Sequence, residues 1–173
     1  MKTIFHIAIA LLFAFVALAS CSKDDEKSPA NTITIDGVEK NIGYVRYNIY
    51  NFSSGEKGGF RISTASSRDT FDPEKDFDLY LELKSIYIGV SGTEADNASR
   101  VDLRSNGKSC STEHGAIISE GSIIIKMGSN DQAEIRINML IKYQETPGSA
   151  TTYHRIQCNF KGKMQYAESF GGI

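Results

Sequence analysis

The sequence predicts an all-β domain, either a single antiparallel β-sandwich or a small barrel, with about eight to ten strands. Three observations predict this fold class. Apolar and polar residues alternate with a period of two, residue pairs that close tight hairpins lie between the alternating stretches, and we find no convincing amphipathic helix. About 135 residues from Asn31 onward are enough for one domain with a single core. The choice between sandwich and barrel stays open at this point.

The clearest strand covers residues 133–143, where mostly polar residues alternate with an apolar set that includes Ile135, Ile137 and Ile141. Residues 77–84 alternate in the same way. After Lys84 the parity slips by one position, which predicts a β-bulge near Ser85. Shorter stretches predict the other strands, at residues 32–35, 42–50, 60–65, 101–104, 113–119, 122–127 and 153–163.

Four segments have the composition of hairpin connections. Asp36-Gly37 and Asn106-Gly107 are pairs that accept positive φ angles, so they predict tight two-residue turns. Residues 128–131 and 146–149 are rich in Gly, Ser, Asn and Pro and predict longer loops. Many short strands joined at such intervals are typical of antiparallel sheets.

The N-terminus has the features of a secretory signal. Lys2 supplies the positive end, and residues 7–17 supply the apolar region. A membrane-spanning helix needs roughly 20 apolar residues. Residues 4–19 fall short of that length, are interrupted by His6 and are followed by acidic residues. Residues 1–20 are therefore predicted to be a signal peptide rather than a permanent span.

Leu18-Ala19-Ser20-Cys21, directly after the apolar region, resembles the lipobox of bacterial lipoproteins. The resemblance implies cleavage before Cys21 and acylation of its thiol and new amino group, with palmitate among the fatty acids. Several acyl chains hold a protein at a membrane far more firmly than one. The alternative is an ordinary secretory signal with an incidental cysteine.

Ser22, Lys23, Asp24, Asp25 and Glu26 follow the cysteine and resemble the acidic export signal of surface lipoproteins of the Bacteroidota. The resemblance implies an outer-membrane protein that faces the cell exterior. A charged tether that simply stays solvated is the alternative. In both interpretations residues 21–30 form a lipidated flexible tether, residues 31–166 the β domain and residues 167–173 a C-terminal tail. The run 160–164 is similar, loosely, to the closing strands of small β-sandwich lipoproteins of uncharacterised function from the same group.

Charge and motifs argue against several function classes. The full chain has a formal net charge of −2. Lys2 is the only Lys, Arg, Asp or Glu in residues 1–20, so removal of this stretch leaves a net charge near −3. The remaining chain has no basic patch in its sequence, and nucleic acid is therefore not expected as a partner. No recognisable catalytic or phosphate-binding motif is present, and no cofactor is predicted. An enzyme with an undetected pair of carboxylates stays the least favoured hypothesis.

Cys110 and Cys158 are the two cysteines of the domain, and outside the cytoplasm such a pair suggests a disulfide. If their segments were antiparallel neighbours with the cysteines opposite each other, Glu113 would face Arg155 as a favourable charge pair. The sequence does not decide between a disulfide and two free thiols at Cys110 and Cys158.

The same cysteines, with His114 and His154, have the residue types of a zinc site. Four residues along a strand span about 13 Å, whereas zinc ligands lie roughly 2.0 to 2.3 Å from the metal ion. Extended segments therefore exclude a shared zinc ion. The acidic stretch 69–78 lacks the glycine of an EF-hand loop and is interpreted as a solvated loop. No metal site is predicted.

The strand at residues 42–50 carries the most suggestive binding feature. Tyr44, Arg46, Asn48 and Tyr50 are predicted to share the face opposite its core side. Aromatic rings beside hydrogen-bonding groups suit a sugar or peptide ligand. Tyrosine is also common in strands for propensity reasons alone, and the chain has no tryptophan to stack on a sugar.

These observations favour a membrane-anchored, non-enzymatic surface binding or accessory module with a glycan or protein ligand. The alternative is a structural or adhesive envelope component that assembles through exposed strand edges. An undetected hydrolase comes last.

Overall fold

The computed structural model describes residues 31–52, 55–83, 93–94, 98–146 and 148–170. In this part of the chain, twelve strands form two six-stranded sheets. The all-β prediction is confirmed, and the two separate sheets make the domain a sandwich rather than a closed barrel. The predicted signal peptide, Cys21 and the acidic motif lie outside the described residues.

The strands exceed the predicted number because several short ones were missed. In chain order they are β1 (Thr32–Ile35), β2 (Val38–Asn41), β3 (Tyr44–Phe52), β4 (Gly55–Ser63), β5 (Asp78–Leu83), β6 (Thr93–Glu94), β7 (Ala98–Ser105), β8 (Lys108–Ser111), β9 (Ile117–Met127), β10 (Gln132–Tyr143), β11 (Thr152–Lys163) and β12 (Gln165–Tyr166). Sheet A has the order β2-β1-β11-β10-β9-β6, and sheet B has the order β12-β3-β4-β5-β7-β8. All pairs are antiparallel except β12 with β3.

The core lies between the sheets and is built by the period-two pattern. On β10 the odd-numbered residues Ile135, Ile137, Met139 and Ile141 are buried, while Arg136 and Asn138 between them are exposed. Sheet B contributes buried apolar residues from β3, β4, β5 and β7 to the same cluster. Each sheet therefore has one apolar face toward the core and one outer face.

The two predicted tight turns are confirmed. Asp36 and Gly37 have φ angles of 51° and 83°, and Asn106 and Gly107 have 52° and 72°. Positive φ at both central residues is the geometry whose twist matches two antiparallel strands. These turns join β1 to β2 and β7 to β8, so the sequence set the register of both hairpins.

The segment predicted as two strands at residues 113–119 and 122–127 differs in the structure. Residues Thr112–His114 form a 3₁₀ turn, and β9 then runs as one strand. The register of β9 against β10 shifts next to Leu140. Next to the shift, Gly121 lets β9 approach β10 closely, because a Cβ there would lie only 2.2 Å from the Asn138 carbonyl oxygen. The bulge predicted near Ser85 lies outside the described residues.

No α-helix occurs in the described ranges, where the helical turns are of the 3₁₀ type, at Arg68–Thr70 and Thr112–His114. Nor do the described residues contain a helix with the length and apolar character needed to span a membrane.

Residues 164–170, which we call the C-terminal segment, cross from sheet A to the outer face of sheet B. Gln165 and Tyr166 pair in parallel with Arg46 and Tyr47 of β3, and the Ala167 amide donates to the Tyr47 carbonyl at 2.9 Å. Residues 167–173 are the predicted C-terminal tail. Ala167 and Phe170 of this stretch are buried, with Phe170 against Tyr80 of sheet B, and residues 171–173 lie outside the described residues.

Candidate functional site

Two rows of polar side chains cross the outer face of sheet A. The pairing registers place them side by side on β1, β11, β10 and β9, as Thr34, Gln157, Asn138 and Ser122 in one row and Thr32, Asn159 and Arg136 in the next. We call these seven residues the polar face. Their positions alternate with core residues, so the same periodicity that builds the core creates this surface.

The polar face forms a depression of about 370 Å³, bordered by Glu39 on β2 and Ile124 on β9. Asn138, Gln157 and Asn159 are exposed. Within the described residues, the side chains of these three amides make no hydrogen bond. Their donors and acceptors are therefore available to a ligand.

The charge of the face is small. The guanidinium of Arg136 forms an ion pair with Glu134 on the same strand at 2.8 Å. A side-chain amide both donates and accepts hydrogen bonds, and a hydroxyl does the same. The arrangement can thus bind a ligand that presents many neutral hydroxyl or amide groups.

One aromatic ring shares this face. Tyr153 lies on β11 four residues before Gln157, so both side chains point to the outer side of sheet A. The Tyr153 side chain is 57% exposed. Four residues along a strand correspond to about 13 Å, a distance that an extended oligomeric ligand could cover.

The predicted ligand face on β3 lies on the outer side of sheet B. Tyr44 and Asn48 are buried, Arg46 is half-buried, and the side chain of Tyr50 lies outside the described part. The Asn48 amide nitrogen donates to the carbonyl oxygens of residues 167 and 168, at 2.6 Å each. The C-terminal segment therefore occupies the place next to Asn48, and ligand binding by this set of residues stays a prediction.

Cys110 and Cys158 are buried free thiols. Cys110 lies on β8 of sheet B and Cys158 on β11 of sheet A. The antiparallel pairing considered in the sequence analysis is wrong, because β8 pairs with β7 and β11 pairs with β1 and β10. Glu113 contacts Arg100 instead of Arg155.

Burial suppresses ionisation of both thiols. Desolvation raises the pKa of Cys110 to about 11 and that of Cys158 to about 12. The thiolate is the reactive and metal-binding form, so neither cysteine has the environment of a nucleophile.

His154 and two carboxylates of the acidic stretch 69–78, which have the residue types of metal ligands, are bound to neighbouring protein groups. His154 Nδ1 lies 2.7 Å from an Asp36 carboxylate oxygen and fastens the first turn to β11. In the acidic stretch, Asp72 forms an ion pair with Lys75 at 2.8 Å, and Asp76 accepts a hydrogen bond from the Asp72 amide at 2.9 Å. No group of three or more potential metal ligands occurs among the described residues.

The polar face was not predicted from the sequence. Alternation at residues 133–143 predicts the polar positions of β10, but it does not predict that β1 and β9 flank β11 and β10. A row of amide and hydroxyl side chains across four strands depends on strand order, and alternation within one strand carries no information about that order.

No protein-family model, curated protein or solved structure matches the chain.

Proposed function

We propose that the protein is a lipid-anchored surface module that binds a neutral, hydroxyl-rich ligand such as a glycan through the polar face. The observation that carries the proposal is the pair of side-chain rows on sheet A, whose exposed amides have no hydrogen-bond partner within the described residues.

Several properties of the polar face support a glycan over a protein ligand. Its central residues are short amides and hydroxyls, and its one arginine is paired with Glu134. Protein interfaces are typically centred on buried aromatic or arginine anchors, whereas the rows contain no aromatic residue and their arginine is exposed. A sugar needs several hydrogen bonds from fixed positions and one ring surface for stacking, which Tyr153 can provide.

Glycan-array binding followed by calorimetry tests the ligand class. We expect the purified full chain to bind a neutral oligosaccharide, and the double variant Asn138→Ala/Gln157→Ala to lose at least about tenfold in affinity, since each lost hydrogen bond contributes about 1 kcal/mol. Gln132→Ala, at an exposed position of the same strand beyond the rows, is the matched control. Equal binding by all three proteins would remove the polar face from the mechanism.

The anchor is proposed from Cys21 and the export motif, which the sequence analysis identified by resemblance. Growth with radiolabelled palmitate should label the protein, and Cys21→Ala should not be labelled. Protease treatment of intact cells should cleave the wild-type domain. Replacement of Asp24, Asp25 and Glu26 by alanine should leave it labelled but protected. If the wild-type protein is labelled with palmitate but is not cleaved on intact cells, the lipid anchor is supported and the outward orientation of the domain is rejected.

Assembly through a strand edge is the second candidate, because β9 carries an apolar edge. This eleven-residue strand pairs with β6 at only two positions, Ile123 and Ser122, in the described part of the chain. Ile117 near its start is 61% exposed. Long apolar edges can pair with another chain. Light scattering of the wild type should then show concentration-dependent growth that Ile117→Lys suppresses and Tyr153→Lys, on the interior strand β11, does not.

A further inference from the structure

The outer face of sheet B contains a buried ion pair that is not hydrogen-bonded. Arg61 on β4 and Asp78 on β5 are 6% and 5% exposed. Arg61 Nε lies 3.7 Å from Asp78 Oδ2, beyond hydrogen-bond distance. Arg61 Nε and Asp78 Oδ1 are both fully buried and have no partner among the described residues. Buried charged groups without hydrogen bonds are costly and therefore uncommon in folded proteins.

Arginine residues outnumber the carboxylates beside the Arg61–Asp78 pair. Arg46 lies directly opposite Arg61 in the β3–β4 pair, and Arg104 lies directly opposite Asp78 in the β5–β7 pair. Like charges opposite each other on neighbouring strands are unfavourable. Neither Arg46 nor Arg104 forms an ion pair within the described residues.

The nearby carboxylate of Asp102 does not relieve this excess. It accepts two contacts from Arg100, at 2.8 Å from Nε and 2.6 Å from Nη2, and it also accepts a hydrogen bond from Ser111. Arg100 is further bound to Glu113 at 2.9 Å. This neighbouring network is complete. The guanidiniums of Arg61 and Arg104 therefore share the single carboxylate of Asp78, and Arg46, opposite Arg61, has no carboxylate partner within the described residues.

The carboxyl group of Asp78 does not fully neutralise the positive charge of the neighbouring arginines. Burial raises the pKa of Asp78, although the charges of Arg61 and Arg104 act in the opposite direction. Desolvation thus outweighs the attraction of the arginines, as expected for a buried pair whose partners are not in hydrogen-bond contact.

Aromatic rings enclose the Arg61 guanidinium. Its central carbon lies 5.8 Å from the Tyr80 ring and 5.7 Å from the Phe170 ring of the C-terminal segment. Tyr80 and Phe170 contact each other edge to face, with centroids 5.3 Å apart. Such walls exclude water, and charge interactions are stronger in a low-dielectric enclosure.

We propose that Arg46, Arg61 and Arg104 form a binding site for an oxyanion, namely a carboxylate, sulfate or phosphate group, on the outer face of sheet B beside Phe170. The planar guanidinium donates two parallel hydrogen bonds to such groups. A bound oxyanion would supply acceptors for the terminal nitrogens of Arg61, which donate no hydrogen bond within the described residues. It would also lie between the like charges of Arg46 and Arg61. The site is independent of the polar face, which lies on the other sheet.

Anion titration of the full chain tests the site. Melting temperature and calorimetry are recorded with sodium sulfate, phosphate, acetate and chloride at constant ionic strength. We expect a saturable rise in melting temperature with at least one of the three oxyanions and none with chloride. The oxyanion with the lowest dissociation constant identifies the ligand group. Responses that are equal for all four salts would reduce the effect to ionic screening and overturn the proposal.

Three arginine variants locate the site. Arg104→Gln and Arg46→Gln, at half-buried positions, should each weaken oxyanion binding about tenfold, which corresponds to the loss of one charge-assisted hydrogen bond. Arg155→Gln, at an exposed position on sheet A outside the polar face, is the control and should bind as the wild type does. Arg61→Leu should abolish binding, and because this variant could also unfold, Arg104→Gln and Arg46→Gln decide. Equal loss in Arg155→Gln, or unchanged binding in both Arg104→Gln and Arg46→Gln, would overturn the proposal.

A crystal grown in sodium selenate gives an independent measurement, since selenium scatters anomalously. We expect an anomalous peak within hydrogen-bond distance of Arg61. Ordered water alone between Arg61 and Asp78 would explain the unpaired atoms and would overturn the oxyanion site.

Discussion

The outer faces of the two sheets differ although both come from the same alternating pattern. On sheet A the residues of the polar face are mostly short and uncharged, and Asn138 and Gln157 among them are open to solvent. On sheet B the outer residues are charged or aromatic and buried, as at Arg61, Asp78 and Tyr80. The difference comes from the C-terminal segment, which contacts sheet B. Polarity of an alternating strand position therefore does not by itself mean exposure.

The two faces also differ in hydrogen bonding. Asn48 on sheet B is held by two carbonyl groups of the C-terminal segment, whereas Asn138 on sheet A is free of side-chain hydrogen bonds within the described chain. A face whose amides are already satisfied contributes to stability. A face whose amides are open keeps hydrogen-bond donors and acceptors available to a ligand.

Removal of the Phe170 ring should have the largest effect. Phe170 is 7% exposed and packs on Tyr80 and Arg61. We expect Phe170→Ala to lower the free energy of unfolding by about 3 kcal/mol, at the lower end for a buried phenylalanine because the segment is peripheral. Urea denaturation measures the change. Tyr166→Ala, at a residue that is 59% exposed, should change stability by less than about 1 kcal/mol. Equal effects would show that the ring does not anchor the segment.

The same substitution on the two faces compares them directly. Asn48→Ala removes two hydrogen bonds of 2.6 Å and should cost about 2 kcal/mol of unfolding free energy. Asn138→Ala should stay within about 0.5 kcal/mol. Chemical denaturation of both variants at one pH provides the measurement, and a cost at Asn138 as large as that at Asn48 would contradict the contrast between the faces.

Gly59 tests how closely the C-terminal segment approaches sheet B. A Cβ at this position would lie 2.7 Å from the Phe170 ring, so Gly59→Ala should destabilise the domain by about 1.5 kcal/mol through crowding. Most of the cost should disappear when Gly59→Ala is introduced into Phe170→Ala, and the contact of the new Cβ with the Tyr80 hydroxyl oxygen at 3.1 Å should account for the remainder. Thermal or urea unfolding of the four proteins of this double-mutant cycle measures the coupling. Additive effects would mean that the ring lies elsewhere in solution.

The buried carboxyl group of sheet B predicts a pH effect of defined sign. Because the pKa of Asp78 is raised above the ordinary 3.8, the folded protein keeps a proton that the unfolded chain has released. The Asp78 contribution to unfolding free energy should therefore fall as pH rises from the ordinary pKa to the raised one. Urea unfolding of wild type and Asp78→Asn across this range should show a difference that grows with pH and then levels off.

An exposed carboxyl group supplies the control of opposite sign. The hydrogen bond from Lys75 lowers the pKa of Asp72. The stabilising contribution of Asp72 is therefore present above the ordinary pKa and lost as pH falls toward the lowered one. The difference in unfolding free energy between wild type and Asp72→Asn should therefore change with pH in the direction opposite to the difference for Asp78→Asn. The same direction for both variants would contradict the assignment of Asp78 as a desolvated group.

Local sequence signals were most informative where one short-range rule acts alone. Residues 133–143 gave β10 with little error, since alternation sets both the strand and its buried side. Asp36-Gly37 and Asn106-Gly107 gave their hairpins because few residues accept the positive φ angles that such turns require. The prediction failed at residues 112–114, where a serine cap and Gly115 at φ 89° produce a 3₁₀ turn that interrupts the parity.

The candidate sites were less predictable because they combine distant parts of the chain. Thr34 and Gln157 are neighbours only because β1 pairs with β11. Arg61 and Phe170 meet only because the chain crosses between the sheets after β11. Gln165 and Tyr166 form too short a strand to produce a periodic signal, so the burial of Asn48 could not be inferred from its own strand.

The amino-acid sequence by itself determined the all-β class, the tight turns and the inward side of the long strands, since each follows from preferences that extend over a few residues. The tertiary structure decided the order of strands, the two-sheet architecture, the separation of the two cysteines and which polar face stays open. These features depend on contacts between residues far apart in the chain, and no local pattern of polarity encodes which segments will meet.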